Sequence, residues 1–62
     1  MNPEILKFFR WQHLPEYLQL VSKPFSDMAD LIVERLPDNK ERTVALRKLL
    51  ESKDAAVRAL VQ

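Results

Sequence analysis

The chain has 62 residues, no cysteine, no glycine, one histidine and a net charge of +1 from ten basic and nine acidic side chains. The lack of thiols excludes disulfides and thiolate zinc sites, one imidazole cannot build a metal cluster, and near-neutrality argues against polymeric nucleic acid as a partner. A domain this short buries only about 60% of its unfolded surface and is marginal alone, so self-association is the expected substitute for a staple.

Proline supplies the punctuation, at Pro3, Pro15, Pro24 and Pro37. Asn2 followed by Pro3 and Glu4 reads as a cap, a first helical residue and a favourable charge, predicting a short helix over about residues 3 to 10. Pro15 with Glu16 starts a second helix in the same manner, expected from about 15 to 36. Pro24 should bend or break it, with Ser22 available to cap a fresh start. The run Pro37-Asp38-Asn39-Lys40-Glu41 then supplies a turn and a capping box, with Asp38 as cap and Glu41 three residues on, predicting a long helix over about 39 to 60. No period-two alternation competes with these helices. The expected fold is all-α, one domain over 1–62: an antiparallel helical hairpin with the short amino-terminal helix packed across it, assembled as a homo-oligomer.

On the second helix Phe25, Met28, Ala29, Ile32 and Leu36 recur at core spacing, and on the third Leu46, Leu49, Leu50, Val57 and Leu60 match them. Arg47, Glu51, Asp54 and Arg58 form the opposite, solvated row. At about 100° per residue, however, Arg42 and Lys53 share the sector of the third helix's apolar stripe. A buried charge needs a partner, so each either snorkels, pairs with Glu16, Asp27 or Asp30, or faces an anion from another molecule. Ile5, Leu6, Phe8, Phe9 and Trp11 point several ways at once, more apolar surface than one small hairpin can cover, which predicts self-association through this segment.

Enzyme motifs are missing: there is no glycine-rich phosphate loop, nucleophile elbow or His-Glu-x-x-His pair. No catalytic residue, metal or cofactor is therefore expected. No apolar run approaches the ~18 residues that span a bilayer, and the first residues do not read as a leader, so the expected location is the cytoplasm, with no membrane partner.

Two blocks carry a resemblance over nearly the whole chain. His13-Leu14-Pro15, Leu18-Gln19, Val21-Ser22 and Pro24-Phe25 form the first, and the runs Glu41 to Glu51 and Lys53 to Ala59 the second. Both resemble short helical proteins encoded by bacteriophages, and more loosely the phage anti-defence sponges that sequester nucleotide signals of bacterial immunity. The resemblance implies a homo-oligomer in the bacterial host cytoplasm that binds a cyclic dinucleotide or a cyclic ADP-ribose-type signal without catalysis, in pockets between subunits. Side-chain chemistry then nominates the ligand contacts. Arg42 offers a guanidinium fork and Lys53 a point charge, Trp11 and His13 a stacking surface, and Lys23 and Arg10 further phosphate contacts. A competing expectation is an adaptor or inhibitor docking on a host or phage protein through Phe8, Phe9 and Trp11.

Overall fold

The computed structural model describes residues 3–61, which form a 3₁₀ helix, Glu4–Phe9, and two long helices, α1 (Glu16–Arg35) and α2 (Lys40–Leu60). No strand occurs among the described residues, as the absence of period-two alternation predicts. The long helices pack on each other and the 3₁₀ helix packs against both. No helix of the described residues is long and apolar enough to cross a membrane.

Both amino-terminal prolines stand just outside their helices. Pro3 (φ −60°, ψ 141°) and Pro15 (φ −55°, ψ 152°) have the right φ but an extended ψ, so each sits at the cap position instead of the first helical one. The Pro3 carbonyl accepts the Leu6 N–H at 3.2 Å, and the Pro15 carbonyl accepts those of Leu18 and Gln19 at 2.9 and 3.0 Å. Asn2, expected as the first cap, lies outside the described residues.

Pro24 does not break α1, and Ser22 does not cap. Proline removes one helical bond, the one its N–H would give to the Leu20 carbonyl. Leu20 is the most exposed large apolar residue, at 76%, so water can reach that turn. On the opposite face Leu18, Ser22 and Ala29 are buried on either side of the proline and hold both halves against the core. Ser22 lies fully buried with its hydroxyl unpartnered.

At the start of α2 the cap is Asn39, not Asp38: the Asn39 side chain accepts the Arg42 N–H at 2.9 Å. Glu41 therefore falls one position early for a reciprocal capping box. Asp38 is occupied elsewhere, pairing with the Arg42 guanidinium at 3.1 Å.

The core centres on Phe9, Ala29 and Leu46, with Ile5, Leu6, Phe25, Ile32, Val33, Leu49 and Leu50 packed around them. Phe9 is 1% exposed and unavailable for docking, which corrects its expected place on an interaction surface; Phe8 remains exposed and Trp11 half-buried. Met28, Leu36 and Leu60, expected on core faces, are exposed. The total accessible surface, 4755 Å², exceeds the roughly 4,200 Å² of a typical folded monomer of this size. On α1, Tyr17, Leu20, Met28 and Leu31 face solvent.

Candidate functional site

Arg42 lies in the first turn of α2, where the helix path turns its side chain back toward the end of α1. Its Nη1 donates to the Val33 carbonyl at 3.4 Å, and its Nη2 meets Asp38 Oδ1 at 3.1 Å. In a continuing helix the Val33 carbonyl would accept the N–H of residue 37, but Pro37 has none. The guanidinium takes that place, with its charge at the negative end of α1. Only 10% of the Arg42 side chain is exposed.

Lys53 repeats the arrangement one helix away. Its ammonium donates to the Phe8 carbonyl at 2.7 Å, at the carboxyl end of the 3₁₀ helix, and pairs with Asp54 at 3.2 Å. Both inward cations thus find internal partners, though not Glu16, Asp27 or Asp30. Glu16 and Asp30 are exposed, and Asp27 pairs with Lys23 at 3.1 Å.

Trp11 and Lys23 are brought together. The turn after the 3₁₀ helix is pinned by Gln19, whose side-chain amide donates to the carbonyls of Leu14 at 2.8 Å and Gln12 at 3.3 Å. The Leu14 N–H closes that turn onto the Trp11 carbonyl at 3.1 Å. This sets the indole beside α1, where the Lys23 ammonium lies 5.6 Å from the ring centroid, within cation–π range. Between them opens a cleft of about 280 Å³, lined by Trp11, Gln19, Leu20, Lys23 and Pro24 and by the carboxylates of Glu16 and Asp27.

The six nominated ligand contacts do not converge. Trp11 and Lys23 share this cleft. Arg42 lines a larger one of about 590 Å³ between the 3₁₀ helix and the start of α2, together with Glu4, Asp38, Thr43 and Arg47. Two acids balance two guanidiniums there. Lys53 lines neither cleft, and Arg10 and His13 are exposed beside the pinned turn without lining one. Sequence reasoning missed Gln19 and Leu20, although their spacing of four and three from Lys23 puts all three on neighbouring positions of α1. Arg47, on the solvated row, is exposed as its spacing predicts and also lines the larger cleft.

Among the described residues no group of three or more histidine, cysteine or acidic side chains is placed to hold a metal ion. Comparison with protein-family models, with curated proteins and with solved structures finds no match for this chain.

Proposed function

We propose that the protein is a non-catalytic, self-associating binder that sequesters a nucleotide signal of the cyclic-dinucleotide or cyclic ADP-ribose type, as a phage anti-defence sponge in the host cytoplasm. The observation that carries this reading is the Trp11 indole beneath the Lys23 ammonium. An aromatic face takes a base by stacking, and a cation at its edge takes the attached phosphate. The cleft volume of about 280 Å³ falls just below the roughly 300–1,000 Å³ of small-molecule sites. One chain therefore offers an open cleft at the small edge of that range, which a second copy would enclose in a site shared between subunits. The four-residue link between α1 and α2 supports the antiparallel hairpin on which such copies would assemble. Arg42 and Lys53 drop out of the contact set because their side chains are only 10% and 13% exposed and their charges face a carbonyl and a carboxylate of the same chain, whereas Lys23, though paired with Asp27, is half exposed.

Calorimetric titration against a panel of cyclic dinucleotides and cyclic ADP-ribose isomers tests the proposal. One class should bind and be recovered chemically unchanged, and Trp11→Ala or Lys23→Ala should weaken it by roughly tenfold or more. No heat with any member at high micromolar ligand, or turnover of a bound nucleotide, overturns it.

The exposed Phe8 favours a second reading, an adaptor or inhibitor acting on a host or phage protein. It predicts a stable complex with another protein in infected cells, carried by ligand-free chain and lost in Phe8→Ser.

A further inference from the structure

Along α1, Glu16, Gln19, Leu20, Lys23 and Asp27 fall within about 100° of the helix circumference and form one wall of the Trp11 cleft. What this wall can offer a ligand depends on which of its groups are already bonded. Both Gln19 amide protons go to main-chain carbonyls, those of Leu14 at 2.8 Å and Gln12 at 3.3 Å, so only its Oε1 remains, an acceptor. Glu16, in the first turn of α1, is exposed and pairs with no side chain among the described residues. The Leu20 carbonyl has lost its helical partner to Pro24. A carboxylate and two carbonyl oxygens thus stand together with no donor between them. The donor of this wall is the Lys23 ammonium, and Asp27, 3.1 Å away, cancels part of its charge. The indole N–H lies in the ring plane, out of reach of a base stacked on the face. A base that fits here must bring its own donors.

We infer that the cleft reads guanine, with the base stacked on Trp11 and its donor edge on Glu16. The inference rests on the nucleotide-binding function proposed above and names the base. Guanine carries a ring N–H and an amino group side by side, a fork that matches the two oxygens of a carboxylate as a guanidinium does. Its second amino proton is then free for Gln19 Oε1, one helical turn on from Glu16. Adenine has only its amino group, flanked by ring nitrogens that accept, so against Glu16 it gains one bond and sets lone pair against lone pair.

The same arrangement explains why a site for an anion contains two carboxylates. Lys23 lies seven residues beyond Glu16, about 10 Å along the axis at 1.5 Å per residue, which leaves room for a sugar between base and phosphate. Glu16 therefore stands at the base end, away from the phosphate. Asp27 stands at the phosphate end and weakens it, so the base edge decides which ligand is held. The signal is a cyclic dinucleotide that contains guanine, and cyclic ADP-ribose, whose base is adenine, is refused.

Calorimetric titration of the full chain with cyclic diguanylate, cyclic diadenylate and cyclic ADP-ribose provides the test, with circular dichroism to check that each variant keeps its helicity. Cyclic diguanylate should bind roughly tenfold or more tightly than either adenine ligand. Glu16→Gln turns one of the two acceptors into a donor and should bring that ratio close to one by weakening the guanine ligand. Asp27→Asn releases Lys23 and should tighten cyclic diguanylate by roughly two- to fivefold. An adenine ligand that binds as tightly as cyclic diguanylate, or a guanine preference that survives Glu16→Gln, overturns the guanine assignment and leaves the sequestering function standing. Weaker binding in Asp27→Asn overturns the placement of base and phosphate along the wall. No heat from any of the three overturns the assignment, and silence of the whole nucleotide panel overturns the sequestering function with it.

Discussion

At Arg42 a guanidinium meets a carbonyl that its own helix cannot satisfy. The missing Pro37 N–H leaves the Val33 oxygen open, and the arginine that follows the turn fills the gap while Asp38 neutralises it. The two partners are unequally placed: Arg42 is nearly buried, whereas Asp38 is 85% exposed and held only weakly. Arg42→Ala should therefore destabilise by about 2 kcal/mol, from lost stem packing and an orphaned carbonyl, lowering the melting midpoint by about 10 °C. Asp38→Ala should cost under about 1 kcal/mol, because water replaces what the exposed carboxylate gave up. Thermal denaturation of the two variants checks the ordering, and equal losses would contradict it. Angle counting along α2 finds the inward direction of Arg42 and Lys53 in the sequence. It does not find their partners, since main-chain oxygens at helix ends carry no residue-type signature.

For the elements, the proline rule and the packing of α1 pull in opposite directions, and packing wins. The lost bond falls on the Leu20 side, where the carbonyl can be hydrated, while Ser22 and Ala29 stay locked inside. Pro24→Ala should restore the bond and raise stability by about 1 kcal/mol, the gain in the folded helix being partly offset by a more flexible unfolded chain. Urea denaturation at low protein concentration measures it; a lower midpoint would mean that α1 needs the proline. The extents of both long helices were legible within a residue or two from Pro15, from the turn around Pro37 and from apolar periodicity. The cap was not, because Asp38 and Asn39 are both good caps and only the salt bridge to Arg42 decides between them. The exposed apolar residues of α1 are not legible either, because Met28 recurs at core spacing with Phe25, Ala29 and Ile32 and reads as core until its solvent exposure is seen.

Across the whole molecule, the 3₁₀ helix is held by Phe9 in the core and by the Lys53 bond to the Phe8 carbonyl, a contact between residues 45 positions apart. Lys53→Met keeps the aliphatic stem and removes the ammonium, and with it both the bond to Phe8 and the pair with Asp54. Amide hydrogen exchange should then speed up by roughly tenfold within Glu4–Phe9, with the protected amides of α1 and α2 unchanged. Uniform acceleration through all three helices would show that the lysine supports the global fold instead. The long reach of this contact also governs how the protein is made. The greasy Ile5–Phe9 stretch leaves the ribosome well ahead of Lys53, and at about 5–20 residues per second it waits roughly 2–9 seconds for its berth. During each round of translation that stretch is a natural target for chaperones, and crowded polysomes are where this protein is most exposed to clumping.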